Sequence, residues 1–240
     1  GAYASVSWVQ VLAFRDPVVF GMIFRCKSLC NVIIGVSLIM FNGGAAFWSI
    51  PFLRRHYEIS ASEVGAVLGL GNIVLGIVGV LLGGILADRL RTRTGKGKLY
   101  VFLAGVILLS LSNLIFLTTN QLAVAYAAIL TGGFAFSTVL GPIISTINDL
   151  VLPRGRATTT AFYTMVTMLG GLTLGPYFVG YMSDALTATG VNNVESLRQS
   201  LLWSLLAPVI GVAFIIQAMR HIEADEASVL ERARALGEDI

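Results

Sequence analysis

The sequence predicts an all-α membrane protein in which six transmembrane helices form a 3+3 inverted repeat. Three observations carry that fold class. First, the 240-residue chain is 56% hydrophobic and only 12% charged, with a mean hydropathy of +0.83. A soluble domain carries about 25% charged residues, so this chain lacks the polar surface to face water. Disorder is excluded by the same numbers, because it needs high charge and low hydrophobicity. Second, six apolar runs reach the length of about 20 residues that a bilayer-crossing helix needs. They cover 29–53, 64–87, 99–118, 121–148, 158–182 and 199–219. The runs are too long for strands and lack the ten-residue alternation of a membrane barrel. Third, two pairs of segments recur in the same order along the chain.

Residues 1–28 precede the first run as an interfacial linker. Trp8, Phe14 and Phe20 alternate there with Arg15, Asp16, Arg25 and Lys27, and Pro17 breaks any helix. The chain opens on Gly1 without an initiator Met, which reads as an internal fragment and not as a signal peptide. Cys26 and Cys30 lie four apart beside Arg25 and Lys27 and are expected to be plain helix residues. Two cysteines make no disulfide framework and no metal site. Residues 29–219 form the bundle, and 220–240 form a charged tail. The tail carries Glu223, Asp225, Glu226, Glu231, Glu238 and Asp239 with Arg232 and Arg234, and is expected to be a solvated helix.

Lys and Arg in the short loops set the orientation. Arg15, Arg25, Lys27, Arg89, Arg91, Arg93, Lys96, Lys98, Arg154, Arg156, Arg220, Arg232 and Arg234 fall on one side; Arg54, Arg55 and Arg198 fall on the other. Thirteen against three places both termini and the loops 88–98 and 149–157 in the cytoplasm. The loops near 54–63, 119–121 and 183–198 then face outward. The expected location is a multi-pass protein of the plasma (inner) membrane.

Within the first span, Asn42 precedes Gly43 and Gly44, and Phe47 and Trp48 follow. The glycines permit local unwinding, and Pro51 is placed to bend the outer end. The second span carries Gly65, Gly69, Asn72, Gly76, Gly79 and Gly83 at steps of four and three, one stripe of a helix. Small residues let membrane helices approach closely, so the stripe predicts a tight seam. The fourth span carries Thr131, Phe134, Thr138, Gly141, Ser145 and Asn148, too polar for lipid, and faces a neighbouring helix or a water-filled cavity. The fifth has Thr160, Thr164, Thr167, Gly171 and Gly175 on one face, followed by Pro176. The third and sixth are plain Leu, Val, Ile and Phe and suit the lipid-facing outside.

The repeat is visible in two places. Gly43-Gly44-Ala45-Ala46-Phe47-Trp48-Ser49 resembles Gly132-Gly133-Phe134-Ala135-Phe136-Ser137-Thr138. Gly84-Ile85-Leu86-Ala87-Asp88-Arg89-Leu90 shares G-x-[LM]-[AS]-D-x-L with Gly180-Tyr181-Met182-Ser183-Asp184-Ala185-Leu186. A three-helix unit is odd, so its second copy enters from the opposite side, an arrangement typical of secondary transporters.

Ionisable groups inside a membrane mark function, and the interiors of all six runs hold none. Asp88, Asp149 and Asp184 sit at the margins, and His56 and His221 are expected to be solvated loop residues. No proton relay, metal site or cofactor site can be assembled from these residues. No base is at hand to activate a membrane Ser or Thr, which argues against an enzyme. Nothing points to nucleic acid.

The most specific local signal is Gly84…Asp88-Arg89…Arg93, which joins the second and third spans. A carboxylate there can meet a positive helix N-terminus, and arginines can bind carboxylates or lipid phosphates. The segment resembles the loop signature G-x-x-x-D-R-x-G-R-R of the major facilitator superfamily, with Arg91 in place of the second Gly and a longer loop. Members have twelve helices in two six-helix halves. The linker with Trp8 and Arg15-Asp16-Pro17, the glycines of span five and the charged tail resemble the C-terminal half, helices seven to twelve. Gly84–Lys98 and Ile147-Asn148-Asp149-Leu150-Val151…Pro153…Arg156-Ala157 look most like the spinster-type subgroup, which moves lysophospholipids or sphingosine phosphate.

The resemblance implies that spans one and four line a central cavity, spans two and five flank it, and spans three and six face lipid. It implies a missing N-terminal six-helix half and alternating access by rocking of the two halves. The cavity candidates are Phe41, Asn42, Phe47, Trp48, Thr131, Phe134, Thr138, Ser145 and Asn148: the aromatics for an acyl chain, Asn42, Thr138, Ser145 and Asn148 for hydrogen bonds. Gly84, Asp88, Arg89 and Arg93 form the cytoplasmic gate; Gly65, Gly69, Gly76, Gly83, Gly175 and Pro176 pack helices. The leading expectation is transport of an amphiphilic, lipid-like substrate. A small organic anion, drug or sugar is the alternative within the superfamily, and a non-transporting six-helix scaffold the alternative outside it.

Overall fold

A computed structural model describes residues 2–237, with side chains from Ser7 onward. Gly1, Glu238 and Asp239 therefore lie outside the described residues. Six helical stretches are long and apolar enough to cross a membrane: Lys27–Tyr57, Ala61–Arg91, Gly97–Thr118, Leu122–Asp149, Pro153–Ala188 and Asn193–Met219, here spans 1 to 6. They match the six apolar runs but extend past them at several ends. Arg54–Tyr57 and Ser183–Ala188, expected as loop, are helical. Hydropathy marks where a helix meets lipid, whereas the backbone hydrogen-bond ladder continues past that boundary until a cap stops it. Span 1 stops at Glu58, whose left-handed φ of 55° ends the helix. Span 2 starts at Ser60, whose hydroxyl accepts from the Glu63 amide at 3.2 Å.

Spans 1, 5 and 6 are interrupted. In span 1 a 3-10 turn, Ala46–Trp48, begins two residues after Gly44 and precedes helix Ser49–Tyr57. Pro51 falls in the first turn of that helix, where its missing amide costs nothing, so the glycines and not Pro51 mark the break. Span 5 contains a π-helical segment, Thr167–Thr173, in which the Thr173 hydroxyl donates to the Met168 carbonyl at 2.9 Å. Span 6 divides at Leu205 into Asn193–Ser204 and Leu206–Met219, three residues before Pro208.

The spans exchange partners between the two triplets. Span 4 packs against both 2 and 3, and span 1 packs against both 5 and 6. Under the sequence repeat, span 1 corresponds to 4, span 2 to 5 and span 3 to 6, so each of these contacts has a mate. The seams agree at residue level. A Cβ on Gly79 would lie 2.6 Å from the Phe134 carbonyl oxygen, and one on Gly175 would lie 2.7 Å from the Ala45 nitrogen. Gly79 is the repeat mate of Gly175, and Phe134 of Ala45. Such approach is open only to glycine.

The span 2 stripe is shorter than the sequence suggests. Gly83 abuts the Thr138 backbone and Gly76 lies near Ser137, but a Cβ on Gly65 or Gly69 would meet nothing within 4 Å. That end of span 2 does pack on span 4, but through Val64, Leu68 and Gly71, so Gly65 and Gly69 sit on a neighbouring face and make no seam among the described residues. Only 17% of the apolar window of span 2 is buried, the smallest share among the six.

The flanking segments close one face of the bundle. Pro17 both ends and restarts a helix: Ser7–Arg15 and Pro17–Phe24 meet at 119°, with the Asp16 carboxylate capping the Val19 amide at 3.0 Å. Trp8 stacks on Phe162 at 6.0 Å, and Val19, Met22 and Ile23 are buried. The tail is not a free solvated helix. Its pieces Ile222–Ala227 and Val229–Ala235 bury Ile222 and Ala233 in the same apolar cluster as the linker. Asp225 accepts from the Ser28 amide at 3.0 Å, capping span 1, and Arg232 donates to the Leu150 carbonyl at 3.2 Å. Burial opposes the charged form of Asp225, but hydrogen bonds from Ser28 and Cys26 and the charge of Arg232 outweigh it and hold its carboxyl below the usual range. Burial pushes the neighbouring Cys26 thiol up to about 11, which leaves it inert.

Candidate substrate site and gate

The cavity candidates separate into three places. At mid-span, Asn42 is buried and lies in a hollow of about 290 Å³ that spans 1 to 4 enclose. Gly43, Ala46 and Ser49 line it from span 1, Asn72 from span 2, Asn113 from span 3, and Gly132, Gly133 and Phe136 from span 4. Asn113 Nδ2 donates to Asn42 Oδ1 at 3.1 Å, and Asn42 Nδ2 donates to the Ser204 hydroxyl at 3.0 Å. This chain satisfies a buried amide that would otherwise carry the desolvation cost of an unpaired polar group. Asn72 reaches Gly133 so closely that a Cβ there could not fit, yet its amide has no hydrogen-bond partner among the described residues. With the Ser49 hydroxyl, which also has no partner among the described residues, it is an unspent polar group of the hollow.

Three neighbours of Asn42 on span 1 do not line that hollow. Phe41 packs its ring on Phe178 at 5.4 Å. Trp48 donates from Nε1 to the Pro176 carbonyl at 3.0 Å, with Gly180 beneath its ring. Both are therefore fixed against span 5, because the 3-10 turn rotates Trp48 toward it. Phe47 is 65% exposed. Thr131 is exposed on span 4 and lines none of the hollows described here.

Phe134 and Thr138 face the other way. With Leu82, Leu86, Tyr100, Ala104 and Leu108 they line an apolar groove of about 430 Å³ between spans 2 and 3. Thr138 spends its hydroxyl on the Phe134 carbonyl at 2.9 Å.

Ser145 and Asn148 sit at the terminal face. Ser145 accepts from Lys98 Nζ at 2.6 Å, and the Asn148 side chain accepts from the Thr160 hydroxyl at 3.2 Å. Lys98 is buried and also pairs with Asp149. Arg91 bridges Asp149 at 2.9 Å and Glu226 at 2.6 Å, and Lys96 reaches Glu223 at 3.6 Å. This network ties the span 2–3 loop to span 4 and to the tail. Arg91 is the residue that stands where the loop signature has its second Gly. Gly97 makes the turn possible, since a Cβ there would overlap the Leu90–Arg91 backbone.

The gate residues lie outside that network. Asp88, Arg89 and Arg93 are exposed and make no ion pair among the described residues, and a Cβ on Gly84 would meet open space. Seven residues are two turns, so Asp88 continues the face of exposed Leu81. His56 is no solvated loop residue: it stacks on buried Phe52 at 5.3 Å and 7°, with Arg198 Nη2 3.3 Å from its ring.

Sequence reasoning missed Asn113, Ser204 and the Arg91–Asp149–Lys98 cluster. The lone amide of the third run, beside Ser110 and Ser112, was the available signal for Asn113. The cluster joins residues 51 positions apart, and no local pattern announces it.

A family model described as Major Facilitator Superfamily matches residues 32–235. An MFS-type efflux pump of Mycolicibacterium smegmatis is 34% identical over 169 residues, covering 69% of this chain and 38% of that protein. Protein spinster homolog 3 of Danio rerio is 29% identical over 212 residues, covering 80% and 42%. The fold also matches the crystal structure of a bacterial homologue of the human lysosomal transporter Spinster, inward-facing and unoccupied. The TM-score is 0.72 at 23% identity, over 86% of this chain and 50% of that one. The chain thus spans half or less of the length of each of these three proteins.

Proposed function

The chain belongs to the Major Facilitator Superfamily, and from that premise we propose that it forms helices seven to twelve of an alternating-access transporter for an amphiphilic, lipid-like substrate. One observation carries the substrate class: the mid-span hollow offers aliphatic and aromatic walls with amide and hydroxyl groups and no ionisable side chain. A hydrophilic ion would find no counter-charge there, whereas an acyl chain with a hydrogen-bonding head finds both parts of its chemistry. Asn72, with its amide unspent, is the residue assigned to the substrate head.

The missing N-terminal half completes the cavity. Asp88 is assigned to a helix N-terminus of that half, where positive dipole and carboxylate attract. Its exposure and lack of a partner support this role. The Arg91–Asp149–Lys98 cluster keeps spans 2, 3 and 4 together as one body, so that the halves rock as units. The thirteen-to-three cation bias assigns the terminal face to the cytoplasm. The M. smegmatis relative supports a second reading, extrusion of small drugs.

The test uses the full-length transporter in proteoliposomes, offered a fluorescent lysophospholipid and, separately, ethidium. The expected result is movement of the lysolipid, slowed about tenfold by Asn72→Leu, the loss expected when one hydrogen bond worth about 1.5 kcal/mol is removed. Transport of ethidium without the lysolipid overturns the lipid reading and favours the drug.

A further inference from the structure

The face opposite the termini is poor in cations, and those it has converge. Arg54, Arg55 and Arg198 are the three basic residues that the sequence assigns to that side. Positive-inside selection acts against each of them. Arg55 and Arg198 nevertheless line one hollow of about 330 Å³ with His56, Asn192, Val194 and Glu195. Their positions are 143 residues apart in the chain, so the fold and not local sequence brings them together.

Arg198 is built into this hollow. Its guanidinium carbon lies 5.7 Å over the ring of buried Phe52, and Nη1 lies 3.3 Å from Glu195. Its Nη2 meets the His56 ring at 3.3 Å, and its Nε is buried with no acceptor. An orphaned charged donor is costly, so the guanidinium is held here with fewer partners than it can use. Arg55 is exposed and has no ion pair among the described residues. One carboxylate, Glu195, faces two guanidinium groups, which leaves the hollow cationic. The first turn of helix Asn193–Ser204 supplies Val194 and Glu195 to the same wall, and its positive end adds to the field.

We propose that this hollow is an anion site that takes the phosphate of a phosphate ester between Arg55 and Arg198. The Arg55 fork and the N–H groups that Arg198 does not spend on Glu195 and His56 can meet the several oxygens of a phosphate, and the match is directional. A volume of about 330 Å³ exceeds what a bare ion needs and leaves room for the esterified group. The site lies at the far end of the transporter from the Asp88 gate, and it stands apart from the substrate reading of the mid-span hollow. The ester is either a soluble molecule or the head of a membrane lipid.

Arg54 and Arg55 supply an internal control, since both are exposed and without an ion pair among the described residues but only Arg55 lines the hollow. The full-length protein in detergent is titrated with glycerol phosphate at constant ionic strength, and its thermal midpoint is followed. Saturable protection is expected, with half-saturation weakened at least tenfold by Arg55→Ala and changed less than threefold by Arg54→Ala. The same titration in nanodiscs separates the sources. Protection already present in phosphatidylglycerol discs, with no further gain from glycerol phosphate, identifies a lipid head. A gain in both phosphatidylglycerol and phosphatidylcholine discs identifies a soluble ester. No saturable protection from either source, or equal losses in the two variants, overturns the site.

Discussion

Spans 2 and 5 occupy equivalent places in the two triplets, yet they are built differently. Span 2 is one unbroken helix of 31 residues, Ala61–Arg91. Span 5 is assembled from a 3-10 turn, helix Arg156–Val166, the π segment Thr167–Thr173 and helix Leu174–Ala188. Both place a glycine against the backbone of a partner span, Gly79 on span 4 and Gly175 on span 1. The repeat therefore keeps the seam and not the helix geometry. The reason lies in what each helix must touch. Span 5 bonds span 4 through Thr160 at one end and abuts span 1 through Gly171 and Gly175 further along. One extra residue in the π turn resets the phase between those two contacts. Span 2 meets span 4 along a single stretch and needs no reset.

That difference can be broken most directly by shortening each helix by one residue. Deleting Ile73, an exposed residue of span 2, turns Gly71 and everything before it by about 100° relative to Gly79 and Gly83. We expect loss of the folded, monodisperse protein in detergent. Deleting Gly170, where a Cβ would meet open space, converts the π turn into regular helix and keeps the faces on either side. The folded protein should survive with a thermal midpoint only a few degrees lower. Equal behaviour of the two deletions would remove the phase-reset argument.

The next contrast lies within span 2. Gly83→Ala drives a methyl group into the Thr138 backbone, which cannot retreat without moving span 4. An overpacked core costs 1–3 kcal/mol, and contact with backbone puts this case at about 3 kcal/mol or above. Gly65→Ala meets open space and gains about 0.5–1 kcal/mol from helix propensity. Denaturation in mixed micelles reads both. A Gly65→Ala variant as damaged as Gly83→Ala would restore the longer seam that the glycine spacing implied.

These contrasts also mark what was legible in the sequence. Six spans, their order and the repeat could be read because membrane helices impose long apolar runs and because small residues mark close approach. The extent of the seam could not be read: the spacing of Gly65 and Gly69 equals that of Gly79 and Gly83, but at that end the face against span 4 is Val64, Leu68 and Gly71. The site was harder still. Thr131, Phe134, Thr138, Ser145 and Asn148 share a helical stripe, but a stripe about 25 Å long, at 1.5 Å per residue, meets different neighbours at different depths. Phe134 reaches a groove, Ser145 meets Lys98, and the polar groups that line the hollow with no partner among the described residues, Ser49 and Asn72, lie on other spans. The π turn left no mark beyond Gly170-Gly171, which also suits a plain helix.

The smallest expected loss concerns the end of span 2, where rigidity comes from charge and not from glycine. Lys98 is buried and pairs with Asp149, while Arg91 holds the same carboxylate at 2.9 Å. Removing one member of a fully buried pair costs 3–5 kcal/mol. Here Asp149 keeps Arg91 and a side-chain exposure of 24%, so water and the second cation share the remaining charge. Lys98→Met should therefore cost about 1–2 kcal/mol, less than Gly83→Ala, and Asp149→Asn in that background should add little because the buried cation is already gone. If instead Lys98→Met costs as much as Gly83→Ala, then Arg91 does not compensate. The loop between spans 2 and 3 would then depend on a single pair, and the straight helix would owe its fixed end to Lys98 alone.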